Sequence, residues 1–505
     1  MLSVLRECII GEIRSADFVS IQADETMDIS TQCQLVLVIR YIDKAHHVQE
    51  RFFEFIPLQN ATADSITTAL LDRLSSILPD DQKSKLISQA YDGASVMRGA
   101  KGGVQKKVQD VYVNAHYVHC YAHQLNLIMQ QVTSHIPKVS NFFSDLAGFS
   151  SFFSRSPKRT SVLDRVVAHR LPRASTVRWN FHSRTVNTVF EHKEDLLQCF
   201  ETIRDSGEFD PITVREAGGF VRLLEDDSFS FFLKLFHLIM PNVDILYNQL
   251  QKRTIDSVFV QGIMQQFTNN IQKIRDYLPT LCGEHSGSVS QLAKKRRTLG
   301  PDDLQRLATE ADRFQQYRSQ FPEAALNTTM EAYPLLNKNK LKTELALIYS
   351  NDKFKSCSGA VALYQLFMGN NLQDTFSETV ALLKILITTP MTTAESERCF
   401  STLKRIKTFL RNTMSQDRLN ALAMLSMEKN LVKTIPDFNQ RVIEKFAAVK
   451  DRMAKCDDGD KKALDSCLLE PHCTPLTEAL GNLYPSEAQT QSLQLCIVNL
   501  FLQPS

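Results

Sequence analysis

The chain has 505 residues, enough to bury at least one large core. Hydrophobic residues make up 43% and charged residues 23%, a globular composition that excludes disorder as the main state. The formal net charge of +2 excludes a globally basic protein such as a histone, so any nucleic-acid surface must come from local segregation of charge.

Composition also indicates the fold class and the compartment. With only 17 Gly and 17 Pro, the chain has few breakers, which favours long helices over a many-turned sandwich or propeller. The 11 cysteines contain no Cys-x-x-Cys pair, which is typical of reduced intracellular thiols. Charges interrupt the N-terminal apolar stretch, and no run of roughly 18 apolar residues occurs. We expect a soluble intracellular protein without a membrane partner.

In chain order, the first third of the chain contains segments whose apolar residues have helical spacing and segments whose pattern is typical of a strand. Helical spacing in Met1–Ile13 precedes three strand-like runs, and an amphipathic helix and a short strand follow. The strand-like runs are Phe18–Asp24, Leu35–Tyr41 and Val48–Ile56, the helix is Thr62–Leu78, and the last strand is Leu86–Ala90. Short connections predict an antiparallel meander. This order is the one in which a ribonuclease-H-like core begins.

The remaining chain has mainly helical spacing. Residues from about 125 to 380 place Leu, Ile and Phe at intervals of three and four, and the pattern resumes after Pro390 through Met427. A polar stretch, Gly283–Pro301, reads as an exposed loop. Its basic run Lys294–Arg297 is either a nuclear localisation signal or simply a solvated loop. The segment beyond about Asp457 has weak periodicity, which predicts a poorly ordered tail.

Three acidic residues stand where backbone geometry could present them together. Asp24 ends the first strand, Asp92 follows the last one, and Glu397 lies in the first turns of a predicted helix. Carboxylate oxygens of this kind bind Mg²⁺ or Mn²⁺, and a metal pair can activate a nucleophile at a phosphodiester. The alternative for any single acid is a solvated or helix-capping residue.

Five motifs occur in the order found in hAT-superfamily transposases. They are Asp24-Glu-Thr-Met-Asp28, Tyr91-Asp-Gly-Ala-Ser-Val-Met97, His119-Cys-Tyr-Ala-His-Gln-Leu-Asn-Leu127, Arg178-Trp179 and Ser396-Glu-Arg-Cys-Phe-Ser401. Over roughly residues 5 to 455, the chain resembles the transposase-derived part of vertebrate MYM-type zinc-finger proteins and related domesticated proteins.

The resemblance implies an α/β fold in which a large all-helical insertion interrupts a ribonuclease-H-like core and a helical hAT dimerisation region follows. The implied domains are residues 1–150 for the first part of the core, 151–380 for the insertion, 381–455 for the catalytic helix and dimerisation region, and 456–505 for the divergent tail. The acidic triad of the family maps onto Asp24, Asp92 and Glu397, with Mg²⁺ or Mn²⁺ as the implied cofactor if the chain is active.

Two departures from the family bear on activity. The first motif often carries an aromatic residue where this chain has Thr26. No zinc finger of the BED, THAP or MYM type precedes residue 1, although family members generally use such a module to find DNA. We therefore expect a fragment or a truncated copy.

His116, His119, Cys120 and His123 have the spacing of one helix face. On a helix, His116 and His123 would lie about 10 Å apart, too far to share one metal ion. The family has this Cys-x-x-His beside its catalytic core, and we favour a structural role near the site for Cys120 and His123 over a zinc site.

A basic stretch from Arg155 to Arg184 holds eight cations and one acid, Asp164. Such a stripe neutralises phosphates, and the sole Trp of the chain, Trp179, could stack on an unpaired base. The family places its matching Arg-Trp pair by the active site. The predicted DNA-binding residues are Arg173, Arg178, Trp179, Arg184 and Arg398. Alternatively, Trp179 is a core anchor and the arginines are solvated.

The region after Glu397 leaves similar alternatives open. Arg398, Lys404, Arg405, Lys407 and Arg411 follow without an intervening acid and either face DNA or cover a helix surface. An apolar stripe that includes Leu419 and Ala423 is typical of plain core. In the family, this region also mediates dimerisation, which predicts a homodimer or a higher oligomer.

Two functional hypotheses follow. The first is an active Mg²⁺-dependent transposase with an Asp-Asp-Glu triad, favoured by the intact acids. The second is a domesticated or truncated copy that acts as a dimerising nuclear protein and binds DNA without cutting it. We favour the second, because the chain lacks a DNA-targeting module, and we expect no small-molecule substrate.

Overall fold

The computed structural model describes residues 1–166, 179–253, 255–283, 323–350, 354, 357 and 359–448. These residues form two compact units. The first comprises residues 1–121 and 251–259 together with the described residues after 322, and the second comprises residues 122–250 and 260–283. The predicted tail 456–505 and the basic run Lys294–Arg297 lie outside the described residues, and the predicted domain limits stay predictions.

A mixed five-stranded sheet, in the order β3-β2-β1-β4-β5, forms the scaffold of the first unit. The strands are β1 (Val19–Met27), β2 (Cys33–Ile42), β3 (Val48–Leu58), β4 (Leu86–Tyr91) and β5 (His116–His119). β1, β2 and β3 pair antiparallel, whereas β4 runs parallel to β1 and β5 parallel to β4. The predicted α/β class and the antiparallel meander are confirmed.

Helices account for most of the remaining structure. The helices before residue 122 are α1 (Leu2–Ser15), α2 (Ala63–Ile77), α3 (Ser95–Arg98) and α4 (Val104–Val111). Next come α5 (Tyr121–His135), α6 (Pro137–Ser154), α7 (Pro157–Val166), α8 (Trp179–Glu191), α9 (Lys193–Asp205), α10 (Pro211–Glu225), α11 (Asp227–Leu250) and α12 (Ser257–Gly283). The last are α13 (Glu323–Ala332), α14 (Lys338–Ser350), α15 (Ala360–Gly369), α16 (Ser377–Thr388), α17 (Ala394–Ile406), α18 (Gln416–Met427), α19 (Lys429–Thr434) and α20 (Phe438–Ala448).

Local sequence explains where α2 forms. The side chain of Thr62 accepts a hydrogen bond from the Ser65 backbone N–H and so caps the first turn. The apolar positions that predicted this helix are all buried, namely Ile66, Leu70, Leu74 and Ile77. The prediction of an amphipathic helix is therefore confirmed, and its apolar face belongs to the same core as the sheet.

The described part of the second unit is all-helical and rich in phenylalanine. Phe149 of α6 packs its ring against Phe200 of α9 and Phe220 of α10. Among the described residues, α11 alone is long and apolar enough, by length and composition, to cross a membrane. Its Phe229 and Met240 are buried, as expected for a helix in a protein core.

The late helices complete the core of the first unit. Leu403 of α17 and Leu419 and Ala423 of α18 are buried in the same cluster as the sheet residues. The apolar stripe after Arg418 therefore packs inside its own chain, which confirms the core interpretation for Leu419 and Ala423.

Arg40 of β2 connects the sheet to two distant segments through a buried guanidinium that is 1% exposed. Its Nη1 donates to Glu50 Oε1 at 2.8 Å and to the Arg253 carbonyl at 2.7 Å. Its Nη2 donates to the carbonyls of Ile255 at 3.2 Å and Ile387 at 2.8 Å, and Nε also donates to Ile387, at 3.0 Å. All three guanidinium nitrogens thus have acceptors, as a buried charge requires.

Replacing Arg40 with Met should destabilise the first unit strongly, because Glu50 would then be buried without its cation and two backbone segments would lose their donor. We expect a loss of about 3–5 kcal/mol in the free energy of unfolding, measured by urea titration with circular dichroism. As a matched control, Arg73→Met breaks a more exposed pair with Glu54 and should cost less than about 1 kcal/mol. Equal losses for the two variants would contradict the central role of Arg40.

Candidate functional site

Asp24 and Asp92 lie at the same edge of the sheet. β1 and β4 are parallel neighbours, and Gln22 pairs with Ala90 in their register. Asp24 and Asp92 each stand two residues beyond that pair, so both lie at the same level of the sheet. Asp92 directly follows β4, whereas β1 continues past Asp24 to Met27, so the prediction that Asp24 ends the first strand is wrong. Asp92 Oδ1 accepts a hydrogen bond from the Ala94 N–H at 3.1 Å, which fixes the turn after β4.

Glu397 lies near the N-terminus of α17, as predicted, and α17 packs against β1 and β2. The start of this helix is tied to the end of β4 by Cys120 and Tyr121. The Cys120 N–H donates to the Tyr91 carbonyl at 3.0 Å, and the Tyr121 N–H donates to the Met391 carbonyl at 3.1 Å. The buried thiol of Cys120 accepts a hydrogen bond from the Thr393 N–H at 3.2 Å. Cys120 therefore links the strand that leads to Asp92 with the helix that carries Glu397.

Asp92 and Glu397 are both within electrostatic reach of Asp24. Loss of hydration raises the pKa of Asp24 well above its usual value, and the negative charges of Asp92, Glu25 and Glu397 raise it further. Burial also raises the pKa of Glu25, again with a contribution from Asp92. We call Asp24, Glu25, Asp92 and Glu397 the acidic cluster. Such mutual repulsion destabilises the cluster unless protons or a cation neutralise it.

The acidic cluster does not form a closed metal cage. Among the described residues, no group of three or more His, Cys, Asp or Glu side chains is arranged to hold a metal ion. Mg²⁺, however, usually retains several waters and needs only one or two carboxylates besides the substrate phosphates. The Oε2 atom of Glu25 is buried and has no hydrogen-bond partner among the described residues. The negative charge of Asp92 also acts on this carboxylate. Asp24 and Asp92 are the carboxylates that would hold such a cation, and this assignment stays a prediction.

Two aromatic residues of β5 line the turn at Asp92. The hydroxyl of Tyr117 donates to the Asp92 carbonyl at 2.9 Å, and the ring of Tyr117 stacks with that of His119. The His119 ring lies so close over Gly93 that a Cβ at that position would overlap it. Burial and the charge of Asp92 raise the pKa of Tyr117 to about 12. Neither Tyr117 nor Glu25 is among the predicted site residues: Tyr117 stands outside the five motifs, and Glu25 stands inside the first motif but is not an acid of the family triad.

The helical interpretation of the histidine-rich segment is wrong for its first residues. His116 and His119 lie on β5, Cys120 follows the strand, and α5 begins at Tyr121. A strand of four residues is too short to show a period in sequence, and its pairing with β4 determines its conformation. His123 lies in the first turn of α5, which the second unit contains apart from its first residue.

Arg398, one of the predicted DNA contacts, binds within its own unit. Its guanidinium donates to the carboxylate of Glu395 and to the Gln251 carbonyl. Glu395 is 4% exposed and also accepts from Arg253, with 2.9 Å between Nε and Oε2. Glu395 is not among the predicted site residues, although it stands two residues before Glu397 in the same helix turn. The ion pairs hold the start of α17 on the segment Gln251–Phe259.

Of the remaining predicted DNA-binding residues, the structure describes only some. Arg173 and Arg178 lie outside the described residues, and of Trp179 only the helical backbone at the start of α8 is described. Arg184 is exposed on α8, in the second unit. The structure therefore leaves the basic stretch Arg155–Arg184 as a sequence prediction.

Comparisons with known proteins agree with the geometry. Residues 3–103 match the model of the "ZMYM1/FAM200, RNase-like domain", and residues 370–431 match the "hAT family C-terminal dimerisation region". The chain is 23% identical over 489 residues to the "52 kDa repressor of the inhibitor of the protein kinase" of Homo sapiens, across 84% of this chain and 63% of that protein. The Mus musculus protein of the same name is 23% identical over 487 residues, across 84% and 64%. The chain thus spans slightly less than two thirds of these relatives.

Asp24→Asn should stabilise the chain at neutral pH. The raised pKa means that the folded chain holds this proton more tightly than the unfolded chain does. The penalty therefore appears as the pH rises from the unfolded value of about 3.9 through the folded value. Each pKa unit is worth about 1.4 kcal/mol, so Tm should rise by about 2 °C or more at pH 7, and the gain should vanish near pH 3.

The matched control for this measurement is the exposed acid Asp81, whose replacement with Asn should leave Tm unchanged across the same pH range. A fall in Tm for Asp24→Asn at pH 7 would show that the acidic cluster is not repulsive.

Proposed function

Both family matches confirm the resemblance to hAT-superfamily transposase-derived proteins, and from this premise we propose that the chain acts as a self-associating nuclear protein that binds DNA. The observation that carries the proposal is the match of residues 370–431 to a dimerisation region, which spans α16, α17 and α18. These helices are part of the first unit, where α17 and α18 pack on the sheet.

The residues that stabilise the fold differ from those that would mediate self-association. Leu419 and Ala423 are buried in the core of their own unit, so they are not available to a second copy. Self-association must then use the outer faces of the same helices, and the acidic cluster need not take part. The name of the two relatives, a repressor, fits a protein that works by binding better than one that works by cutting.

Nuclear residence follows from the proposed DNA partner. The basic run Lys294–Arg297 is the sequence feature that would serve as a localisation signal. A fluorescent fusion of the full chain with this run replaced by alanines tests that role.

A second candidate is metal-dependent cleavage of DNA strands, which the acidic cluster favours. Asp24 and Asp92 would hold Mg²⁺ or Mn²⁺, which when bound would polarise a phosphodiester oxygen. Glu397 lies within electrostatic reach of Asp24, and the ion pairs of Glu395 hold the start of α17 in place. This candidate needs the same DNA surface as the first and differs only in the chemical step.

Self-association is measured by multi-angle light scattering on the purified full chain. We expect a mass of at least twice that of one chain at micromolar concentration. The variant with Asp24→Asn and Asp92→Asn should have the same mass, because the cluster lies outside the proposed contact. A monomer at micromolar concentration would overturn the self-association proposal.

Metal binding is measured by thermal unfolding in Mn²⁺ or Mg²⁺. A cation that binds only the folded chain at 100 times its Kd should add about 2.7 kcal/mol of stability and raise Tm. Asp24→Asn with Asp92→Asn should abolish that rise, whereas Asp81→Asn should keep it. An unchanged Tm of the unmodified chain across millimolar Mn²⁺ would remove the cleavage candidate and leave the binding function standing.

A further inference from the structure

The loop after α17 exposes two large apolar side chains almost completely. Phe409 is 80% and Leu410 is 90% exposed, the highest values for large hydrophobic residues in the described part of the chain. They belong to a single 3₁₀ turn, Phe409–Arg411, which we call the Phe409–Leu410 tip. Exposed apolar groups of this size are costly in water and usually mark a binding surface.

A buried ion pair holds the base of the tip. Lys407 Nζ donates to Asp28 Oδ2 at 2.6 Å and to Ser30 Oγ at 2.9 Å, and the two charged side chains are 6% and 0% exposed. Burial alone would raise the pKa of Asp28, but hydrogen bonds from Lys407, Ser30 and Gln32 lower it to about 2. The tip begins two residues after this anchor, so it is presented from a fixed position.

The two neighbours of Asp28 in the chain are also apolar and exposed. Met27 is 58% exposed and Ile29 is 56% exposed, and they flank Asp28 in the chain. Each of these four exposed apolar residues thus lies within three residues, along the chain, of one partner of the buried ion pair. Met27 lies on β1 together with Asp24, and the tip follows α17, which carries Glu397.

The charged residues that flank the tip in sequence are mainly cations. From Arg398 to Asp417 the sequence has five Lys or Arg residues and one acid, the exposed Asp417 at the start of α18. Arg398 and Lys407 are used in ion pairs with Glu395 and Asp28. The cations exposed to solvent are Lys404, Arg405 and Arg411.

Helix geometry aligns these cations with the acidic cluster. Lys404 follows Glu397 by seven residues, which places it on the same face of α17 and about 10 Å further along the axis. A linear polyanion that runs along α17 would therefore contact Lys404 about 10 Å beyond the level of Glu397, and then the tip.

The tip lies within residues 370–431, the range that matches a dimerisation region, so a second copy of the chain is the alternative occupant and an outcome of the test. An interface that set the tip of one copy directly against the tip of the other would bring the exposed cations together, which disfavours that arrangement. DNA complements them, because its phosphates neutralise cations, and proteins often insert Phe or Leu between base steps next to such contacts. We propose that the Phe409–Leu410 tip is a wedge that enters DNA beside the acidic cluster, with Lys404, Arg405 and Arg411 on the flanking phosphates. This inference rests on the proposed DNA binding.

The test uses the full chain and two fluorescein-labelled probes, a short duplex and the same duplex with a central unpaired bubble, in anisotropy titrations over several salt concentrations. Phe409→Ser with Leu410→Ser should weaken binding about tenfold, more for the bubble, without changing the salt dependence. Lys404→Gln with Arg411→Gln should flatten the salt slope by about one for each phosphate that the variant no longer neutralises. Val113→Ser is the matched control, since Val113 is 75% exposed in the same unit and should bind like the unmodified chain.

Several outcomes would overturn the wedge. If the tip variant binds both probes as tightly as the unmodified chain, the wedge is wrong while DNA binding stands. If it also turns monomeric in light scattering, the tip is an interface between copies. If the unmodified chain binds neither probe, the proposed DNA binding fails together with the wedge. Equal Tm values for the tip variant and the unmodified chain exclude misfolding as the cause of weaker binding.

Discussion

The buried guanidinium of Arg40 is the constraint on which the first unit depends. It donates to the backbone of the segment Gln251–Phe259 and to the end of α16, which are 213 and 347 residues away from it in sequence. Because a buried charge without acceptors costs several kcal/mol, these carbonyls must meet at Arg40 for the fold to form. One side chain on β2 thereby fixes two segments that arrive from distant parts of the chain.

The position of Glu397 follows from that constraint. Once Arg40 holds the segment Gln251–Phe259 in place, Arg253 binds Glu395 and Arg398 binds the Gln251 carbonyl. Both contacts act on the first turns of α17, at a distance of two residues or fewer from Glu397. The start of α17 is thus held in place while Glu397 remains within electrostatic reach of Asp24, so that cations on one side of the helix start stabilise the position of an acid on the other.

The sequence predicts the parts of this arrangement that depend on local periodicity. The alternation in β1 and β3 and the apolar spacing of α1 and α2 predicted elements at nearly the observed positions. The motifs located Asp92 just after a strand and Glu397 near a helix start, but Asp24 lies inside β1, because pairing with β2 extends the strand to Met27. β5 could not be found, since four residues carry no period and only pairing with β4 makes them a strand. The partners of Arg40 and Glu395 could not be predicted either, because no sequence pattern indicates contacts between residues that are hundreds of positions apart.

The stripe after Arg418 shows why a pattern alone cannot distinguish core from interface. Apolar residues at helical spacing must be buried, but the spacing does not say whether the cover is the same chain or another copy. Here the sheet covers Leu419 and Ala423, and the exposed apolar surface is instead at Phe409 and Leu410, in a loop where no periodicity is expected. A nearly neutral chain can in this way carry an acidic cluster at one end of α17 and an acid-free cationic loop at the other. The proposed binding of a polyanion depends on that polarity along one helix and not on the net charge.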